Sequence, residues 1–348
     1  MRFVPSHCLR EGMFLAKSIY SDEGVVLLAK DVSLTKEYIG SINKLGITGV
    51  YVEDNISENI RIENVISDEL RVNAIKTIKD VYNNPDSIVK NIQVVESISK
   101  RLMEEILKNK TMMVNIIDIK TCDDYMYSHS VNVAVLCAVL GISANLELDR
   151  IEKVVTSALL HDIGKVFLPK EILNKEELSQ EELKILESHS EKGYRYIKNQ
   201  NIFSVTSYIG VLQHHERYDG KGYPDKRQGE NISFFGRMVS ICDVYDKLVS
   251  PKPPKKPSNP ADAMEFIMGN SGIMFDPKLV KQFIRKVAPY PLGSIVKLSN
   301  EEQAIVIANN EEFSIRPKIR LLSNGEEFDL AYDWNMRNVT IIGIEENY

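Results

Sequence analysis

Five of the six histidines lie between His129 and His215, and their placement constrains the fold more than any other feature of the chain. Before His161, residues Ile151, Val154, Val155, Ala158 and Leu159 recur at helical spacing, and Asp162 continues that series toward the apolar side. An inward carboxylate is costly unless something pairs with it. Gly164 reads as the terminator of that helix. The next helix opens with a capping box, Ser179 to Glu182, and carries Leu186, His189, Gly193, Tyr196 and Ile197 on one face. A third helix, from about residue 203, ends in His214, His215 and Glu216, and His129 opens a fourth, HSVNVAVLCAVLGI. In ICDVYD, Asp243 lines up with Val239 and Cys242 on a second buried face.

Each signal is weak alone, since a single inward histidine is more often a satisfied core residue. Together they place five histidines and two aspartates on five helical segments, several facing inward. Divalent transition metals bound by imidazole and carboxylate explain that set economically. Seven ligands exceed the needs of one ion, so two are expected, bridged by Asp162.

The rest of the chain divides by pattern. Residues 1–64 read as a small α+β module: GVVLLAK (24–30) and TGVYVED (48–54) as strands, and LTKEYIGSINKLG (34–46) as an amphipathic helix ended by Gly46. Residues 65–110 read as a helical connector, broken by NNPDS at 83–87. Residues 111–290 are helix-rich and hold the five histidines. From 291 to 348, SIVKLS, QAIVIAN, KIRLLS, EFDLAY and NVTIIGI are short β-branched runs between turn residues, a small all-β module. PKPPKKPSNP (251–260) must be a loop. The expected fold is mainly α, with a central helical catalytic domain between the two small modules.

With 348 residues, 43% hydrophobic and 26% charged, the chain has the composition of a soluble globular protein. A net charge of −6 argues against general binding to polymeric nucleic acid or anionic membranes. The most apolar run, Val133 to Ile142, is too short for a membrane span, and the N-terminus lacks the apolar core of a secretory signal. Cys8, Cys122, Cys137 and Cys242 form no CxxC pair and read as free thiols in a cytoplasmic protein. His7 carries no assigned role.

The blocks HDIGK, ESHSEKG, HHERYDGKGYP and ICDVYDKL follow one another in an order that resembles the HD-GYP family of the HD metal-dependent phosphohydrolases. The resemblance implies a bacterial phosphodiesterase that hydrolyses cyclic di-GMP to pGpG, GMP or both. It implies one metal held by His129, His161, Asp162 and Asp243, and another by Asp162, His189, His214 and His215. It favours iron or manganese, although zinc, nickel or cobalt also suit these donors. Lys165 corresponds to the family's catalytic lysine. Asp219, Gly220, Gly222, Tyr223 and Pro224 match the DG and GYP signature, with Tyr223 approaching the substrate. Some members place a Glu where this chain has Tyr125, which helps hold a third metal; two metals are therefore expected here. An arginine-rich stretch is replaced by PKPPKK, so Lys252, Lys255 and Lys256 would supply the basic substrate contacts. Lysine keeps the charge but lacks the bidentate fork.

The mechanism implied is attack by a hydroxide generated between two metals, which also neutralise the phosphate oxygens. Lys165 would assist the departing 3′ oxygen. The alternatives are hydrolysis of another cyclic dinucleotide, such as 3′,3′-cyclic GMP-AMP, and a weakly active binding module in signalling. The HHE and GYP blocks argue against a (p)ppGpp hydrolase. The terminal modules are expected to serve a homodimer contact or a signalling partner.

Overall fold

The computed structural model describes residues 1–21, 25–47, 49–85, 88–109, 113–114, 125–200, 204–250 and 257–345, with the side chains of 88–92 left aside. Cys122 and the three lysines 252, 255 and 256 lie outside these residues.

The N-terminal part contains β1 (Arg2–Pro5), β2 (Phe14–Leu15), β3 (Ile19–Tyr20), β4 (Val26–Leu28), α1 (Lys36–Lys44) and β5 (Gly49–Glu53). β1, β5 and β2 form an antiparallel sheet in that spatial order, with Val4 opposite Val50 and Leu15 opposite Val52. Thr35 caps α1 by accepting from the Tyr38 N–H. Gly46, at φ +67°, ends the helix as expected, in a conformation that suits a residue without Cβ. Ile42 and Leu34 close the small core over Val4, Leu15 and Val52.

The helices follow: α2 (Asp68–Asn83), α3 (Ile88–Lys108), α4 (Tyr125–Ser143), α5 (Leu148–Leu159), α6 (Lys170–Leu173), α7 (Gln180–Glu187), α8 (His189–Asn199), α9 (Val205–Gln213), α10 (Phe234–Val249), α11 (Pro260–Gly269) and α12 (Pro277–Lys286). α4 is the axis of the bundle, buried all round from Ser128 to Gly141. A helix apolar on every side has no solvent face to offer, so α2, α3, α5, α10 and α12 surround it. Among described helices it alone is long and apolar enough to cross a membrane, but it is mostly buried among its neighbours.

The C-terminal runs become β6 (Ile295–Leu298), β7 (Gln303–Ala308), β8 (Lys318–Leu321), β9 (Glu327–Asp329) and β10 (Ile341–Ile344). They form one antiparallel sheet in the order β10-β6-β7-β8-β9. Its inward residues Val296, Leu298, Ala304, Val306 and Ile319 meet Leu330 and Met336.

The two ends of the chain meet. Ala16, Tyr51, Ile60 and Ile62 from the first part share an apolar cluster with Ile305, Leu292 and Leu322 from the last. Arg320 Nη1 donates to the Glu58 carbonyl at 3.0 Å. The terminal modules, which the sequence pattern treats separately, thus pack together.

Candidate metal centre

The centre is built at helix ends. α5 stops at Leu159, so Asp162 is not on that helix as its spacing implied; it begins the 3-10 turn Ile163–Phe167. Nor does Gly164 terminate the helix. A Cβ on residue 164 would fall 1.9 Å from the His189 carbonyl oxygen, so the glycine permits a backbone-to-backbone approach. The capping box at Ser179 and Glu182 is present. The single helix expected beyond it is two, α7 and α8, meeting at Ser188, and His189 opens the second. His214 caps the C-terminus of α9. His129 lies one turn into α4, and Asp243 faces inward from the middle of α10.

These side chains converge into two groups, each with its ligand atoms within 4.8 Å of one another: Asp162, His189, His214 and His215 in one, and His129, His161 and Asp243 in the other. Asp162 faces both. Its Oδ1 is 3.3 Å from His189 Nε2 and 3.9 Å from His214 Nε2, and its Oδ2 is 3.4 Å from His161 Nε2. His161 Nε2 is 3.5 Å from Asp243 Oδ1. His129, His161, Asp162, His189, His214 and Asp243 are all buried, and His215 is half-buried.

The donor set fits divalent cations. His161 Nε2 and Asp162 Oδ1 are buried without a hydrogen-bond partner, an arrangement that proteins avoid. His189 Nε2 and His214 Nε2 face each other at 3.4 Å, while their Nδ1 atoms lie 2.6 Å from the carbonyls of Leu186 and Val211. A carbonyl only accepts, so each Nδ1 carries the proton and two Nε2 lone pairs confront each other. His129 lies between two carboxylates: Nδ1 is 2.7 Å from Asp246 Oδ2, and Nε2 is 2.9 Å from Asp243 Oδ1. A cation taken up by Nε2 and Asp243 would leave the Nδ1–H to donate to Asp246.

The electrostatics agree. Burial pushes His189 down to about 4 and holds His214 and His215 well below the usual imidazole range, so these rings stay neutral donors. Burial also opposes charge on His161, but Asp162 and Asp243 outweigh it and raise the ring to about 9. That position therefore attracts positive charge. Against the cost of burial, Lys165 and His161 keep Asp162 ionised, and Lys247 and His129 do so for Asp243.

Lys165 donates to Asp162 Oδ2. Tyr223 stacks on His215, with ring centroids 4.7 Å apart and planes at 28°. Burial and the two aspartates raise its phenol well above the usual range, keeping the O–H available as a donor. Gly222 lets that loop pass against the His215 carbonyl and the Arg217 nitrogen, and Pro224 follows Tyr223 through a cis peptide bond. The Asp219 carboxylate is engaged within its own loop, by the Arg217 side chain and the Lys221 N–H. Gly220 turns that loop at φ +78°. Tyr125 stacks parallel on His129, with ring centroids 5.5 Å apart and planes at 6°.

Two groups at the centre escaped the sequence reading, and a third, Glu216, had no role assigned there. Asp246 supports His129 from behind, three residues after Asp243 on the same helix face. Lys247 donates to Asp243 Oδ2 at 2.7 Å. Glu216 braces the following loop by accepting from the Asp225 and Arg227 N–H groups at 2.8 and 3.0 Å. The repeat of Asp in DVYD was the available signal for the first. Among the described residues Cys8, Cys137 and Cys242 form no disulfide, and none is among the clustered ligands.

Residues 111–279 match the family model of the HD domain. A cyclic di-GMP phosphodiesterase of Pseudomonas aeruginosa is 33% identical over 257 residues, which cover 67% of this chain and 62% of that protein. The cyclic di-GMP phosphodiesterase PdeB of Borreliella burgdorferi is 30% identical over 212 residues, 60% of this chain and 56% of its own. A 3′3′-cGAMP-specific phosphodiesterase of Vibrio cholerae is 33% identical over 157 residues, 44% of this chain and 30% of its own. The chain thus spans 62% or less of the length of these relatives. Among solved structures, an HDG"Y"P protein from Bdellovibrio bacteriovorus shares the fold with a TM-score of 0.55, at 17% identity, over 81% of this chain and 97% of its own. Residues 111–279 thus belong to the HD domain family, and the HDIGK, HHE and GYP blocks set around one His/Asp cluster resemble its HD-GYP branch.

Proposed function

We propose that this chain is a metal-dependent phosphodiesterase that hydrolyses cyclic di-GMP to pGpG, GMP or both. The observation that carries the reading is the pair of adjacent ligand groups, with Asp162 of the first lying 3.4 Å from His161 of the second, and with His161 Nε2 and Asp162 Oδ1 both buried and unpartnered. His129, His161, Asp162 and Asp243 would hold one divalent cation, and Asp162, His189, His214 and His215 the other, with iron or manganese favoured. When bound, such cations neutralise phosphate oxygens and acidify water near neutral pH.

The chain's own groups do the rest. The seven ligands, six of them buried, would fix the cations that face the reacting phosphate. Lys165, one turn beyond Asp162, delivers a proton or positive charge to the departing 3′ oxygen. Tyr223, stacked on His215, offers its O–H to the phosphate from the open side. Lys252, Lys255 and Lys256 would hold the second phosphate. The relative specific for 3′3′-cGAMP supports a second substrate reading, the mixed cyclic dinucleotide.

The test is anaerobic turnover of cyclic di-GMP and 3′3′-cGAMP side by side, using protein reconstituted with Fe(II) or Mn(II) and with metal counted per chain. Linear product with about two metals, abolished in Asp162→Ala, is the expected result. Two metals with turnover of neither dinucleotide would sink the catalytic reading, and absence of bound metal would sink the centre itself.

A further inference from the structure

A chain of hydrogen bonds reaches the centre from α2, a helix outside the segment matched to the HD domain. Arg71 Nη1 donates to Asn132 Oδ1 at 2.7 Å. Asn132 Nδ2 donates to Asp246 Oδ1 at 2.9 Å. Asp246 Oδ2 lies 2.7 Å from His129 Nδ1, and His129 Nε2 lies 2.9 Å from Asp243 Oδ1. Asn132, Asp246, His129 and Asp243 are 3%, 0%, 1% and 0% exposed.

The cation at the start sets the sense of every link. A guanidinium has only donors, so Asn132 must turn its carbonyl oxygen to Arg71. Its amide NH2 is then the group left for Asp246. A carboxylate accepts, so the Nδ1–H of His129 donates to Asp246, and a cation beside Asp243 would meet the ring at Nε2. Remove the guanidinium, and the Asn132 amide is free to rotate. Asp246 then loses a buried donor.

We propose that Arg71 is a positioning residue for His129: through Asn132 and Asp246 it sets the tautomer and angle of a ring that contributes to the cluster of His129, His161 and Asp243. The inference rests on the reading that this cluster holds a metal. It makes α2 part of the metal centre, and the segment 65–110 more than a connector. Partners of this kind, one step behind a ligand, typically change metal affinity by about 10–100-fold.

The test is metal titration of the full chain with Mn(II), followed by electron paramagnetic resonance and by metal counting at controlled free metal, for wild type, Arg71→Ala, Asn132→Ala and Arg71→Lys. Wild type should bind two ions. The two alanine variants should each weaken one ion by roughly 10–100-fold, leaving the other at its wild-type affinity and losing the spectral signature of spin-coupled Mn(II). Arg71→Lys keeps a cationic donor and should recover part of the affinity. If one alanine variant fails to fold, the other decides. A loss spread equally over both ions, or two ions bound at wild-type affinity in the alanine variants, overturns the positioning role. Wild type that binds no Mn(II) instead overturns the metal centre, so the two failures are distinct.

Discussion

Replacing Gly164 by alanine probes how the centre is held together. The turn after Asp162 lies so close to the start of α8 that a Cβ at 164 would stand 1.9 Å from the His189 oxygen, 2.6 Å from the Gly193 nitrogen and 2.8 Å from the His189 carbonyl carbon. Cβ contacts under 3.0 Å are essentially never seen, so the strands of backbone must part by at least 3.0 − 1.9, about 1.1 Å. All three obstacles are main chain, and no rotamer change relieves them. The separation opens between Asp162 and His189, whose Oδ1 and Nε2 are 3.3 Å apart. Overpacking of this kind costs about 1–3 kcal/mol, and at about 2–4 °C per kcal/mol the Tm should fall by roughly 2–12 °C. A displacement of about 1 Å at a reacting centre costs on the order of 100-fold in rate. Calorimetry, metal counting and turnover of the cyclic dinucleotide measure the three effects. Gly40→Ala is the control: no atom lies within 4 Å of its Cβ in α1, and it should stabilise that helix by about 1 kcal/mol. If Gly164→Ala keeps the wild-type Tm and metal content, the close approach does not set the spacing of these two ligands, and the reasoning fails.

Gly222→Ala should push the Tyr223 loop away, because its Cβ would meet the Arg217 nitrogen at 2.4 Å and the His215 oxygen at 2.5 Å. Steady-state kinetics should show a raised KM for the dinucleotide with the protein still folded by circular dichroism. Removing metal with a chelator should lower the Tm, since the folded chain alone assembles the ligands; free metal at about a thousand times Kd is worth about 4 kcal/mol. An unchanged Tm on chelation would count against two tightly held ions. Ser179→Ala should fray the start of α7 by about 1 kcal/mol, seen as faster amide exchange there. Lys175 and the Ser179 N–H hold Glu182 down to about 2, against 4.5 for the free group. Its contribution is therefore complete above about pH 4.5 and lost as pH falls toward 2, so protection at α7 should decline over that window.

The helical bundle and the C-terminal strands were legible because their signals are local. Runs such as QAIVIAN alternate with turn residues, and β7 occupies Gln303–Ala308 within that run. The meeting of Tyr51 and Ile62 with Ile305 was not legible, since the partners are more than two hundred residues apart and no periodicity encodes the pairing. At the centre, apolar spacing located the histidines, but it placed Asp162 on a helix that had already ended at Leu159. Spacing cannot distinguish the last residue of a helix from the first residue of a tight turn that keeps the same side inward. Gly164 was misread for a related reason: a glycine at a helix end and a glycine at a close backbone crossing look alike in sequence. Asp246 and Lys247 escaped because a side chain acting behind a ligand has no spacing rule of its own.

Three of the histidines share one local device, which explains why helix ends were the place to look. His161 Nδ1 lies 2.7 Å from the carbonyl of Ala158, His189 Nδ1 2.6 Å from that of Leu186, and His214 Nδ1 2.6 Å from that of Val211, each three residues earlier. Those carbonyls belong to the last turns of α5, α7 and α9, where the helix leaves oxygens short of N–H partners. Each ring adds a donor to such a carbonyl through Nδ1, which leaves Nε2 as the atom turned to the centre. One interaction finishes a helix and orients a ligand. The same three termini carry the negative ends of helix dipoles, so they favour a cation beside them before any carboxylate is counted. Asp162 and Asp243 add full charges where the dipoles already point. A site assembled from helix C-termini is in this sense cationic in preference from its backbone upward, and the histidines make that preference specific to ions that accept nitrogen as well as oxygen.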